Sequence, residues 1–437
     1  MTSFDRFERS LPELFDELAA ARTPDYFDDI LTRTAATRQR PEWSFPERWV
    51  PMSAITRRFA AAPRVPWRLA AALALLIAAA LVAYLVAGPG QHRVPAPFGT
   101  AANGQIAFVD ATGRVVTGDV ASTETHLVAD VTGSESPLFS QDGGRIAFFH
   151  GTAAGGYDLA TVRADGSGLT TITTRPISKP TYVGWSGAGD RILVVSDDRM
   201  LLFDVTRSGE PVALSEQLGE TNVSIGNGYN FRPTHAFRPP ASNEILFQSL
   251  ARGQALNAVR PDGTGLRKLI DQESSPVAYS RLKGAEWSPD GSQIVLMLEF
   301  PNLPEQWHAY ILEADGSNLR PLTPFSENPL GDQNSTLWSP DGTRIAFQYW
   351  DRHAGDQGQD FHPIAVVDVA TGKLRDVGPM LINGATWGWS PDGQSILEVP
   401  GDRNGQVLVV DVATGRTTTA PWRTAEFTSW QRVAPPS

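Results

Sequence analysis

The chain has 437 residues, a net charge of −11 and no cysteine. Without cysteine there are no disulfides and no thiolate metal sites. The acidic balance argues against a nucleic-acid surface, which would be basic. The length exceeds one ordinary compact core and suits a repeat domain with appendages.

Residues 1–68 read as a small helical head. Ser10 to Glu13 form a capping box with Pro12 just inside the helix start, and Leu11, Leu14, Phe15 and Leu18 form its apolar stripe. Thr23-Pro24 opens a second helix, with Asp25, Asp28 and Asp29 near its positive end. Two small helices bury little surface alone, so their stripes call for a partner, a second copy or the membrane surface. The plainer alternative is a tail that only positions the apolar run after it.

Leu69–Ala87 is an uncharged run of 19 residues whose one polar group is the Tyr84 hydroxyl. About 20 apolar residues suffice for a helix to cross the hydrocarbon layer. Arg57, Arg58, Arg64 and Arg68 precede the run, and Gly88-Pro89-Gly90 stops it. Arginines on the N-terminal flank place that side in the cytoplasm. A buried Ala/Leu helix is the competing reading; a cleaved signal peptide does not suit the long polar stretch ahead. Residues 1–68 hold 11 Arg against 10 Asp and Glu, so the net negative charge belongs to the part expected outside. Residues 88–102 read as a Pro/Gly/Ala linker.

From Asn103 onward one phrase recurs. Trp-Ser-Pro-Asp-Gly stands intact at Trp287–Gly291, Trp338–Gly342 and Trp389–Gly393, with degraded copies at Phe139–Gly143, Trp185–Gly189 and Phe237–Ala241. The lead aromatics are spaced 46, 52, 50, 51 and 51 residues apart, and Trp430 follows Trp389 by 41. After each phrase comes a β-patterned run, such as Arg344–Gln348, and later a second glycine turn, such as Asp315-Gly316. Four strands per repeat of about 50 residues describe a β-propeller blade. The run Asn103–Val109 matches the one after Gly342, so the C-terminal strand is expected to complete the blade begun at Asn103. That pairing closes a ring without an open edge. The expected fold is therefore all-β: a seven-bladed β-propeller over residues 103–434 (six or eight blades being the alternatives), with the helical head and one transmembrane helix.

The W-S-P-D-G-x-x-I-x-F and A-D-G-[ST]-x-L pieces resemble the WD-like repeats of TolB-type propellers over about residues 103–434. The resemblance implies the fold and not an activity. It also departs from TolB proteins, whose heads are six-bladed, with a separate N-terminal domain and no span. The head-plus-span layout resembles bacterial membrane-tethered regulators such as anti-sigma factors, although their His-x-x-x-Cys-x-x-Cys zinc signature is absent from a chain without cysteine.

The short turns of all blades fall on one face of the ring, and the long connections fall on the other. Function is disproportionately carried by loops, so the loop-rich face is the expected binding surface. Its largest loops are 215–236, 323–337 and 349–362. The candidate ligand-binding residues are Tyr229, Arg232, His235, Trp307, His308, Tyr349, Asp351, His353 and Trp387. Aromatics beside an arginine suit a peptide or glycan pocket; blade packing is the plainer account of the tryptophans. Asp351, His353, Asp356, Asp360 and His362 have ligand chemistry for a cation, but a solvated acidic loop explains them as well. No metal, cofactor or catalytic residue is expected. Gly184–Ala188 lacks the last glycine of a nucleophile elbow, and Gly372-Lys373-Leu374 lacks the P-loop hydroxyl.

These features point to a bacterial single-pass membrane protein with the N-terminus in the cytoplasm and the propeller outside. The expected role is non-catalytic: binding a protein, peptide or envelope ligand, with signalling through the head to a cytoplasmic regulatory protein. The alternative is a propeller-pocket enzyme acting on glycans or peptides. Carboxylates converging on the axis would favour the enzyme; an apolar or plugged axis would favour binding.

Overall fold

A computed structural model describes residue 96 and residues 98–434, except 208, 227–234, 251–253, 324–332, 350–360, 363, 378–380, 383–385, 400–405 and 425–427. The helical head and the expected span lie outside the described residues. Among those described, no helix is long and apolar enough to cross a membrane.

Seven four-stranded antiparallel sheets follow one another along the chain, so the fold is an all-β seven-bladed propeller. Blade 1 is shared by the two ends of the domain: Ser429–Val433 pairs with Ala102–Val109, which continues to Val115–Gly118 and Thr125–Ala129. Blades 2 to 7 span Ser134–Thr171, Pro180–Ala213, Val223–Ile270, Arg281–Pro321, Gln333–Asp376 and Thr386–Arg423. A two-stranded pair, Phe361–His362 with Leu381–Ile382, is an addition beside them.

The recurring phrase is explained by its turn. Ser288 Oγ donates to Asp290 Oδ1 (2.6 Å), accepts from the Gln293 N–H (2.9 Å), and the Gly291 N–H closes the turn on the Ser288 carbonyl (2.8 Å). Ser339 with Asp341, and Ser390 with Asp392, repeat the arrangement. Glycine is required twice over at Gly291. Its φ is +71°, and a Cβ there would stand 2.1 Å from the Pro239 carbonyl of the preceding blade. Successive blades therefore approach each other at backbone distance.

Between adjacent blades lie seven apolar clusters. Seven blades have seven interfaces only if the ring is closed. The cluster between blades 7 and 1 joins Leu397, Val399 and Trp422 to Ile106 and Phe108, and Phe108 stacks on Trp422 at 4.0 Å. The lead tryptophans bridge interfaces: Trp185 Nε1 donates to the Leu138 carbonyl and Trp389 Nε1 to the Leu337 carbonyl.

Three loop expectations are corrected. The segment 215–236 includes most of a short helix, Leu214–Leu218, and the first piece of blade 4's innermost strand, Val223–Ser224. That strand resumes at Phe237, which bridges to Ile245, so an excursion splits one strand in two and disguises its start. The loop 323–337 ends earlier than expected, because Gln333–Trp338 is the inner strand of blade 6. Tyr349 closes the strand Arg344–Tyr349 instead of opening a loop.

Trp287 is wholly buried between blades 4 and 5, and the Arg238 guanidinium lies 5.0 Å from its ring centroid. Replacing it, Trp287→Ala, is expected to cost about 3–5 kcal/mol. The check is a drop in the denaturant midpoint with an unchanged slope.

Candidate functional site

The innermost strands of six blades converge on a cavity of about 110 Å³ at the short-turn end of the axis. Its wall includes Phe139, His235, Glu286, Trp338, Trp389 and Trp430. An innermost strand has no further strand to receive its outward N–H groups, so these need other partners. Neighbouring blades supply them. The Phe139 N–H donates to Ser429 Oγ (3.0 Å), the Trp338 N–H to Glu286 Oε1 (2.6 Å), and the Trp287 N–H to the His235 carbonyl (3.1 Å). Bulges in the inner strands, such as that between Lys283 and Glu286, re-aim these side chains.

The chain's own entering segment crosses this end of the axis. Phe98 is 2% exposed, joins the apolar cluster of blades 3 and 4, and meets the His235 ring edge-on at 5.1 Å. Its φ is +62°, a strained value for a bulky residue. Burial of the ring, worth about 1.5–3 kcal/mol, offsets the roughly 1–2 kcal/mol of strain. Arg432, on the closing strand, holds the segment in place. Its Nη1 donates to the Gly99 carbonyl (2.7 Å) and its Nη2 to those of Ala96 (3.0 Å) and Phe98 (2.7 Å). Its Nε donates to the Gln141 carbonyl (3.1 Å). Burial brings this guanidinium down to about 10, so it stays charged at neutral pH. Burial also brings His235 down to about 4, with Arg432 adding to the effect, so the imidazole is neutral beside it.

The sequence-derived candidates do not gather at one place. Tyr229, Arg232, Asp351 and His353 lie outside the described residues, as does most of the loop with Asp356 and Asp360. His235, expected on the loop-rich face, stands at the opposite, short-turn end of the axis. The interrupted strand of blade 4 explains the difference, since His235 stands two residues before the Phe237–Ile245 bridge and its carbonyl accepts from the Trp287 N–H of blade 5. Trp387 packs with Leu337, Val366 and Ile396 between blades 6 and 7. Tyr349 is buried, and its hydroxyl donates to Asp376 Oδ1 at 3.0 Å. Trp307 and His308 belong to the long strand Leu303–Glu313, which rises from the loop-bearing end of blade 5.

Around Trp307 lies a group the sequence did not single out. The inner strand Arg281–Trp287 starts at the same end. Lys283 Nζ stands 4.0 Å from the Trp307 ring centroid and the Arg281 guanidinium 5.1 Å from it. Glu299, directly opposite Trp307 in register, accepts two hydrogen bonds from Arg281 at 2.6 Å each. Trp307 is 9% exposed and Glu299 is buried, so the group presents Arg281 and Lys283 over a largely buried indole, an arrangement suited to contact with polar or acidic peptide or glycan groups. Arg281 and Lys283 alternate along one strand, but nothing in the sequence alone places that strand beside Trp307.

No family model matches the chain, and no curated protein matches it. Solved structures do. The tricorn protease is similar over 78% of this chain and 35% of its own length, at 16% identity and a TM-score of 0.50. Oligogalacturonate lyase from Vibrio parahaemolyticus is similar over 74% of this chain and 86% of its own, at 15% identity and 0.47. TolB from Acinetobacter baumannii is similar over 74% and 81%, at 14% identity and 0.44. Likeness at such identities is likeness of fold.

Another buried group sits away from the axis. Glu398, on the second strand of blade 7, is 1% exposed and its Oε2 has no hydrogen-bond partner among the described residues. Burial pushes its carboxyl from the ordinary 4.5 up to about 8. The folded state thus holds a proton that the unfolded chain releases, and stability falls as pH rises between those two values. Glu398→Gln should remove this slope and stabilise the protein above about pH 8, read from melting temperatures across pH 4 to 9. Arg432→Gln should loosen the entering segment, seen as faster limited proteolysis near Phe98 with the blades intact.

Proposed function

We propose that this chain is a membrane-anchored binding module of the bacterial envelope. Residues 1–68 lie in the cytoplasm, residues 69–87 span the membrane, and the propeller outside binds a protein, peptide or envelope ligand without chemical turnover. The head passes the bound state to a cytoplasmic regulatory protein.

The observation that carries this reading is the occupied hub. Phe98 and Gly99, fixed by Arg432, cover the short-turn end of the axis. The axial carboxylate there, Glu286, is engaged by the Trp338 N–H. A ligand is therefore left the opposite face, where Trp307, Arg281 and Lys283 stand together. The apolar run and its arginine flank support the anchor and its orientation.

Protease accessibility with a tag at each end tests the arrangement. The C-terminal tag should be cut in cells whose membrane is exposed from outside, while the N-terminal tag is protected. The reverse pattern sinks the reading. Capture from envelope extracts should then weaken about tenfold in Trp307→Ala, the scale of an interface hot spot. Deleting residues 1–60 should abolish the cellular response while leaving capture intact.

A further inference from the structure

In blades 2, 3, 5, 6 and 7 the second strand begins just after the Ser-Pro-Asp-Gly turn or its counterpart, and that first residue has a fixed partner on the third strand. In four blades the partner is an acid. Arg191 faces Asp204, Gln293 faces Glu313, Arg344 faces Asp368, and Ser395 faces Asp411. In blade 2 the partner is an arginine: Arg145 faces Arg163. Like charges directly opposite each other on a sheet are destabilising. A local rule broken in one blade and kept in the four blades that share its register points to function.

The surroundings deepen the anomaly. Arg145 and Arg163 lie on the side of blade 2 turned toward blade 3, in a cleft of about 280 Å³. Arg207 from blade 3 lines the same cleft, as do Thr161, Thr170 and Thr206. The Arg145 guanidinium has no hydrogen bond or ion pair among the described residues. The nearby carboxylates are already engaged. Asp165 Oδ1 accepts from the Ser167 N–H and hydroxyl, and Asp204 accepts from Thr206 and from Arg207 Nε (2.8 Å). Those hydroxyl and N–H donors hold both carboxyls below their usual range. Arg145, Arg163 and Arg207 thus line one cleft on a protein of net charge −11, with Arg163 Nη1 donating to Ser167 Oγ (3.4 Å) and Arg207 Nε to Asp204.

We propose that the cleft between blades 2 and 3 is a binding site for a tetrahedral oxyanion, a phosphate or sulfate group carried by a small ligand. Arg145 and Arg163 supply planar donor forks that match such oxygens, and Arg207, held to Asp204 through Nε, offers its remaining N–H groups from the facing blade. The bound anion relieves the repulsion between Arg145 and Arg163. The cleft is short of the volume of a whole-ligand pocket, so it holds the anionic group and leaves the remainder outside. The site is separate from the loop-bearing face and stands or falls independently of it.

The full-length protein in detergent is titrated with inorganic phosphate, inorganic sulfate and acetate by calorimetry, at ionic strength held constant with chloride. Saturable one-site binding of phosphate or sulfate, with acetate weaker, is expected; the stronger of the two identifies the group. Arg145→Gln and Arg163→Asp should each weaken binding about tenfold or more, since a charge-assisted hydrogen bond is lost. Arg163→Asp also restores the acid of the sibling blades, so it should raise the Tm of the ligand-free protein. Arg207→Gln, a change at an exposed side chain, gives the same loss of affinity where a strand variant fails to fold. The proposal is overturned by binding no stronger than that of chloride, by acetate binding as well as phosphate, or by undiminished binding in Arg163→Asp or Arg207→Gln.

Discussion

The pairing of Ser429–Val433 with Ala102–Val109 is the contact on which the ring depends. A propeller blade cannot bury its faces alone; each face is covered only by a neighbour. Without the last strand, blade 1 would lack its innermost member, and blades 7 and 2 would each lose part of a wall. Placing the C-terminal strand innermost, against strands from the other end of the domain, turns a linear array into a closed structure. The cost is the entropy of joining residues more than 300 apart, and loop closure grows only logarithmically with length.

That closing strand also organises the hub. Ser429 receives the Phe139 N–H, Trp430 Nε1 donates to the Gly104 carbonyl, and Arg432 gathers carbonyls from the entering segment. One strand thereby joins ring closure to occupation of the axis. Innermost strands elsewhere face the same problem of unpaired N–H groups and solve it with a carboxylate or a neighbouring carbonyl. The result is an axis committed at one end to structure. Chemistry that recognises a ligand is left to positions away from that end.

Repetition makes the departures legible. Because each blade repeats the same turn and the same register, a residue can be compared with its siblings inside one molecule. Lead tryptophans and turn aspartates read as scaffold by this comparison, since the tryptophans are buried or packed between blades in each repeat and Asp290, Asp341 and Asp392 each accept from the serine two residues earlier. The Arg145–Arg163 pair and the Trp307 group do not repeat, and repulsive or exposed charge at a non-repeating position has no packing explanation.

The sequence by itself determined the repeat, the four-strand grammar and the joining of the two ends, because Ser-Pro-Asp-Gly turns and alternating runs act locally and recur at a fixed period. Seven blades follow from counting Trp389 to Trp430 and finding the missing remainder at Asn103. The boundaries of blade 4 are illegible in the sequence, because an excursion interrupts its inner strand between Ser224 and Phe237 and no local signal links the two pieces. For the same reason His235 reads there as a loop residue. Only the tertiary structure decided that Phe98 seats in the hub, that Arg432 holds it, and that Arg281 and Lys283 flank Trp307. Those contacts join residues on different strands or at opposite ends of the domain, and distance along a chain carries no information about proximity until the ring is closed.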